Sequence, residues 1–469
     1  MRILFILPQI PWPPESGGRI VTSNTVRRFA QSNDVFVVCL YHHPDELKHL
    51  DTVKSWCREV AAFPAHAKWD FLTLLRSCFS RHPYKALRFL NADMAGYVSR
   101  LIQRERIEIV HAQNFYTTAY ITGQEPCLRI HYKENIEGLL LERYADSLNH
   151  PLLTPLARRE SRRTLRYERQ GARKFHRVLS ISPLDTARLQ EMEPDLSVSY
   201  QRAGVDLERY PLLEGREETA SKSTNALSFS PPRLGETQRG LNLPEQSTPP
   251  NALPNLGEGN GQRLSPKIGG DTEGVELECP PTVLFTGTMS YHPNYNGILR
   301  FLRDGWPRVR SAVQDARLLV VGHAPPEKLR AWDGKHGVTV TGSVPEIGPY
   351  FREAHVFLVP LWVAGGIRLK ILEAMASGRA VVSTPIGCEG LEVENGSHLL
   401  VAEDPADLAE HVVHLLTNRE LRTQLVRQAR HRIEEQYDWD VVIRDQESRY
   451  REWLDQWKSA VNPGSPMRD

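Results

Sequence analysis

Short β-rich apolar runs alternate with amphipathic stretches twice along this chain, and that double alternation restricts the fold more than any other feature. The first block has apolar runs at Ile3–Leu7, Val35–Leu40, Ile107–His111, Cys127–His131, Val178–Ile181 and Val198–Tyr200. Helical periodicity lies between them, as at Ile20–Gln31 and Leu152–Phe175. The second block has runs at 282–287, 316–322, 337–342, 355–361, 380–385 and 398–403, then a helical pattern from about Pro405 to Trp457. Strands that alternate with helices imply parallel sheets covered on both faces. The expected class is α/β, with two doubly wound, Rossmann-like domains. Two such domains facing one another leave a cleft at the carboxyl ends of their strands, where open α/β sheets bind ligands.

Between the blocks, residues 214–281 are rich in Pro, Gly, Ser, Asn and Glu and show no sustained periodicity. Such a segment buries too little apolar surface to offset its ordering entropy, so it reads as a disordered insertion. A length of 469 residues suits two domains around it. The 58 basic and 57 acidic residues nearly cancel, so global charge gives no argument for nucleic acid. Six scattered cysteines without a CxxC pair or zinc spacing point to a reducing compartment. The opening MRILFILPQIPWPP is cut by prolines after Leu7 and reads as a buried strand rather than a signal peptide. No apolar run approaches the roughly 18 residues of a membrane span, so a cytoplasmic location is the expectation.

The chemistry is concentrated in VPLWVAGGIRLKILEAMASGRAVVSTPIGCEGL, residues 359–391. A strand ends near Leu361, and a turn through Gly365 and Gly366 opens a helix to about Ser377. Paired glycines permit close backbone approach, and the free amides of a helix start attract anions. Arg368 and Lys370 add positive charge in the first turn, where it opposes the helix dipole. Stability does not account for that placement, whereas a bound diphosphate does. Glu373 offers acceptors to sugar hydroxyls. Neither block has a GxGxxG after its first strand, which argues against a dinucleotide oxidoreductase.

The LKILEAMASG helix with the following VVSTPIGCEGL resembles the signature of family 4 glycosyltransferases. The resemblance extends to PPESGGR (13–19), KENIEGLLLERYA (133–145), YERQGARKFHRVLSISPLDTARL (167–189), GVDLERY (204–210) and FTGTMSYHPNYNGILRFL (285–302). It covers nearly everything except the insertion and is nearest to exopolysaccharide and PEP-CTERM-associated sugar transferases. The resemblance implies a GT-B fold: an acceptor domain at 1–205, a donor domain at 282–436, and a last helix at 437–460 returning to the first domain. It implies transfer of a sugar from a nucleotide-sugar donor to a saccharide or lipid-linked acceptor, with retention, no metal and no cofactor. Gly365, Gly366, Ile367, Arg368, Lys370 and Glu373 would bind the donor, with Glu373 matching the ribose-contacting second glutamate of the family's E-x7-E motif. The first glutamate falls at Gly365 and is missing. The family's diphosphate-gripping Arg and Lys are not evident around GTMSYHPN, so Arg368 and Lys370 are the candidates to replace them.

In the first domain, Gly17 and Gly18 match the glycine loop that meets phosphate or acceptor. His111 would end a strand on the cleft side and is the catalytic candidate beside Arg368 and Lys370, although relatives place their histidine where this chain has Gln113. Glu134, Asn135 and Glu137 follow another strand end and could face the acceptor. Asn294 and Asn296 are weaker candidates, since helix capping accounts for one of them. Asp438-Trp439-Asp440 has the form of a metal-binding DxD but reads as a helix cap, and no other carboxylate pair suggests a metal. Nine basic residues against two acidic ones between Arg158 and Arg177 give a helix with a basic face. That face reads either as solvated or as peripheral contact with anionic membrane. Two other functions stay open: a GT-B scaffold without catalysis, and a nucleotide-sugar 2-epimerase, against which Gly365 argues.

Overall fold

The computed structural model describes residues 1–66, 77, 80, 82–148, 150–151, 153–212 and 280–461. The insertion read at 214–281 therefore lies outside the described residues, except for its last two prolines. Each block forms one parallel sheet. The first contains β1 Arg2–Leu7, β2 Asp34–Tyr41, β3 Glu59–Pro64, β4 Ile109–Gln113, β5 Leu128–Lys133, β6 Arg177–Ser180 and β7 Val198–Tyr200, in the order β3-β2-β1-β4-β5-β6-β7. The second contains β8 Thr282–Thr286, β9 Arg317–Val321, β10 Val338–Gly342, β11 Val356–Val359, β12 Ala380–Ser383 and β13 Leu400–Val401, in the order β10-β9-β8-β11-β12-β13. Strand order reverses between β1 and β4 and again between β8 and β11. In such sheets that reversal opens a crevice for a ligand.

The strand period explains how each sheet is covered on both sides. In β1, Ile3, Phe5 and Leu7 enter one core, while Leu4 and Ile6 enter the core on the opposite face. The principal helices are α1 Gly17–Phe29, α2 Ala92–Arg104, α3 Glu137–Ser147, α4 Leu153–Ala172, α5 Pro183–Met192, α6 His292–Asp304, α7 Leu369–Ala376, α8 Pro405–Thr417, α9 Arg419–Gln436 and α10 Trp439–Val461. Several start where the sequence supplies a cap: Ser182 accepts from the Asp185 amide and Asn418 from that of Leu421.

The helix α10 leaves the second domain and lies on the first. Arg28 Nε meets Asp440 at 2.9 Å, and Arg449 Nη1 donates to the Tyr200 carbonyl at 2.8 Å. Asp438 Oδ1 accepts from the Asp440 amide at 2.9 Å, and Trp439 is buried against Gly204, so the DxD lookalike is spent on starting this helix. None of the helices is long and apolar enough to cross a membrane, among the described residues.

Candidate functional site

At the switch point of the second sheet, the turn after β11 meets the loop after β8. The helix after the Gly365–Gly366 turn begins at Leu369, so Arg368 takes the capping position rather than a place in the first turn. Gly366 has φ +66°, and a Cβ there would stand 2.4 Å from Asn135 Oδ1 of the first domain. Only glycine combines that left-handed backbone with so close an approach. A Cβ on Gly365 would meet Leu140 at 2.7 Å, and Ile367 packs beside Gly390.

Both basic residues of this turn are drawn inward. Arg368 is buried, and its guanidinium donates to the carbonyls of Gly365 and Gly366. Lys370 Nζ donates to the Thr286 carbonyl at 2.7 Å and to Asn294 Oδ1 at 3.0 Å, and lies 4.8 Å from the centre of the Phe285 ring. Asn294 thus does not cap its helix. Its amide also donates to the Thr288 carbonyl at 3.0 Å, so it ties the loop after β8 to Lys370. Asn296 turns to the His292 ring instead.

Burial holds the Arg368 guanidinium down to about 10 and pushes the Lys370 ammonium down to about 7, Arg368 adding its repulsion to the latter. Glu373 draws Lys370 the other way, at a distance. Neither cation forms an ion pair among the described residues, so neutral carbonyl and amide oxygens are their hydrogen-bond acceptors. Cations in such a setting favour an anion that can reach them.

Glu373 is placed apart from that pair. Burial raises its carboxyl above the usual range, while Tyr210, Arg209 and Lys370 oppose the shift. With Leu369 it walls a cavity of about 160 Å³ completed by Trp12 and Asn24 of the first domain and by Arg209 and Tyr210 of the connection.

From the first domain, the start of α1 approaches α7: a Cβ on Gly17 would lie 3.7 Å from Leu369. A Cβ on Gly18 would lie 3.0 Å from the Glu134 carboxylate. Glu134 accepts from Gln113 Nε2, and Gln113 Oε1 accepts from Thr22 at 2.9 Å. Burial raises the Glu134 carboxyl, its Gln113 and Asn114 bonds opposing. The structure therefore groups Gly18, Gln113, Glu134 and Asn135 with the Gly365–Gly366 turn. Glu137 lies aside, paired with Lys85 at 2.6 Å.

His111 is not in this group. β4 continues two residues beyond it, which makes Gln113 the strand-end residue and leaves His111 in mid-strand. Its ring is 2% exposed, stacks on Tyr132 and bonds the Tyr450 hydroxyl of α10 at 2.7 Å. Burial holds its pKa down to about 3. A catalytic histidine at this position would have to reach substrate through packed protein.

Two features that the sequence reading missed complete the site. Arg143 of α3 crosses the domain gap: its two terminal nitrogens meet the Glu389 carboxylate at 2.8 and 2.9 Å, and one also donates to the Ala364 carbonyl at 2.8 Å. Glu168 of α4 accepts from Lys133 at 2.8 Å and from the Glu137 and Gly138 amides, so a buried carboxylate caps α3. Neither was legible, because each partner lies tens to hundreds of positions away in the chain.

Residues 280–418 match the family model described as glycosyl transferases group 1. A phosphatidyl-myo-inositol mannosyltransferase of Mycobacterium leprae is 33% identical over 168 residues, which are 34% of this chain and 44% of that protein. A protein described as an uncharacterized 44.6 kDa protein in the cps region of Klebsiella pneumoniae is 29% identical over 164 residues, 33% of this chain and 42% of its own length. The matches thus span less than half of these curated relatives. Among solved structures, sucrose-phosphate synthase from Thermosynechococcus elongatus covers 97% of this chain and 100% of its own at a TM-score of 0.60 and 15% identity. Anabaena Alr3699/HepE in complex with UDP-glucose covers 96% and 100% at 0.60 and 10%. The described residues have the GT-B fold, and residues 280–418 carry the group 1 glycosyltransferase pattern.

Proposed function

We propose that the protein transfers a sugar from a nucleotide-sugar donor to a saccharide or lipid-linked acceptor in polysaccharide or glycoconjugate synthesis, with retention and without a metal. One observation carries this reading: Arg368 and Lys370 are buried cations at the start of α7, bonded only to neutral oxygens, and Leu369 between them stands against Gly17 of the other domain's glycine loop. A donor diphosphate supplies the missing charge. As the bond to the sugar breaks, negative charge grows on the departing diphosphate, and prepositioned amides and cations stabilise it most at that moment. Glu373 would bind the ribose, while Gly17, Gly18, Glu134 and Asn135 would face the acceptor. The names of the solved HepE complexes, with UDP and with UDP-glucose, favour a uridine nucleotide as the first donor to try.

The test is Arg368→Ala combined with Lys370→Ala. Donor turnover should vanish while the far-ultraviolet spectrum and cooperative unfolding persist. A folded double variant with unchanged turnover ends the proposal. Thermal stabilisation by UDP, GDP and ADP identifies the nucleotide, since a ligand that binds only the native state raises its apparent stability.

A further inference from the structure

The basic run at 158–177 divides into groups with different partners. Arg163 turns inward to the carbonyls of Ser77, Ser80 and His82, and Lys174 to those of Thr118 and Ile121. Arg158 pairs with Asp146, Arg169 and Arg173 converge on Glu193, and Arg177 bonds Gln456. Three arginines remain. Arg159 and Arg166 have no side-chain partner among the described residues, and Arg162 bonds only the Arg158 carbonyl. All three are exposed. Their spacing of three and four residues puts them on one face of α4.

Solvation accounts for exposed arginines, but not for what precedes them. In the first turn of the same helix, Leu153 is 50% exposed and Leu156 59%. Leu156 is the most exposed large hydrophobic side chain among the described residues, and it stands one turn from Arg159. Apolar side chains next to unpaired guanidinium groups match the layered chemistry of a bilayer surface, where phosphate lies directly above acyl chain. Helix α4 packs against α3, which borders the interdomain cleft. The helix α3, tied to α4 by Asp146–Arg158, brings Tyr144 to within 6.3 Å of the His292 ring of the second domain and Arg143 to Ala364.

We propose that α4 from Leu153 to Arg166 is a membrane-docking face for anionic phospholipid. Leu153 and Leu156 enter the acyl boundary, and Arg159, Arg162 and Arg166 pair with headgroup phosphates. The docking region is thus the start of the helix together with its leucines, rather than the whole basic run. What docking achieves, delivery of a lipid-linked acceptor to the cleft rim, rests on the sugar-transfer reading; docking itself does not.

The experiment is flotation of the full chain with vesicles of phosphatidylcholine, alone or mixed with phosphatidylglycerol, at low salt and at about 1 M salt, where screening shortens to about 3 Å. The unmodified chain should float with the anionic vesicles at low salt and stay down with phosphatidylcholine alone. Arg159→Ala, Arg162→Ala and Arg166→Ala together should lower anionic-vesicle affinity by about a hundredfold. Leu153→Ser with Leu156→Ser should lower it by about tenfold. No flotation of the unmodified chain, or flotation indifferent to both sets of changes, overturns the proposal. So does arginine-dependent binding to duplex DNA without lipid binding. Nucleotide-induced thermal stabilisation is measured on the same proteins without vesicles and should be equal in all of them. Its absence in the unmodified chain would sink sugar transfer and leave the docking result standing.

Discussion

Arg143 offers the sharpest test of whether this arrangement of domains is the working one. Its guanidinium forks onto Glu389 and also holds the Ala364 carbonyl, the backbone group just before the Gly365–Gly366 turn. Burial is the largest single influence and raises the Glu389 carboxyl, but the Arg143 bond together with the charges of Arg143, Arg188 and Arg368 keeps it below the usual carboxylate range. A charged bidentate pair contributes about 1.5–3 kcal/mol when water is excluded. Here the Arg143 side chain keeps 30% of its exposure and Glu389 19%, so solvent screening reduces this to about 1–2 kcal/mol. Removing Arg143 should therefore shift the closed-to-open ratio by about 5–30-fold. Arg188, 3.6 Å from Glu389, limits the damage by keeping that carboxylate partnered.

The assay is a cycle of Arg143→Ala, Glu389→Ala and the double variant, followed by small-angle scattering and by donor hydrolysis. Each single change should expand the particle and lower kcat/KM. The double change should cost little more than either, giving a coupling of about 1 kcal/mol or more. Additive effects with no change in scattering would mean that the pair is incidental, and that the domains meet by other contacts.

Four further outcomes follow from the same geometry. Gly366→Ala forces a Cβ toward Asn135 Oδ1 at a φ of +66°; it should destabilise by about 1–3 kcal/mol and reduce donor turnover strongly, and an unaltered melting curve with full turnover would contradict the turn geometry. Lys370, titrating at about 7, is largely neutral at pH 8 in the free protein. A nucleoside diphosphate should then bind with uptake of a proton, seen as a buffer-dependent calorimetric enthalpy, and with affinity falling as pH rises above 7. Because its folded pKa lies below the unfolded value, Lys370 should also add stability as pH rises from about 7 toward 10. His111→Asn breaks a core contact and the Tyr450 bond, so it should lower Tm by several degrees with kcat nearly unchanged, whereas loss of kcat at constant Tm would restore a catalytic role. Lys133→Met leaves the Glu168 carboxylate, 3% exposed, with only two amide donors; it should cost about 3–5 kcal/mol in a denaturant titration, and a cost under about 1 kcal/mol would refute the cap.

The sequence was legible wherever its information is local. Alternating apolar runs located both sheets, and the turn at Gly365–Gly366 was marked by paired glycines ahead of a helical pattern. The misses share a cause. β3, EVAAFP, is an edge strand whose residues are only partly buried, so its apolar signal is weak. The end of β4 was misplaced because Gln113 is a polar residue buried by its bonds to Thr22 and Glu134, and apolarity cannot mark such a position. His111 was credited with a role its burial opposes, since nothing local foretells that Tyr450, 339 residues away, will bond its ring.

The candidate site is therefore only half local. Its cationic turn is written in one contiguous segment, because a helix start and its first side chains can make an anion site alone. What faces that turn comes from the other domain: Asn135 against Gly366, Leu140 against Gly365, Arg143 onto Ala364. All three belong to α3 or the loop before it, and α3 is capped by Glu168 from α4. The helix that carries the exposed arginines is thus the same one that holds the first-domain wall of the candidate site in place. A contact that moves α4 would reach the Gly365 turn through two rigid helices, so occupancy of the α4 face and closure over the donor should be coupled.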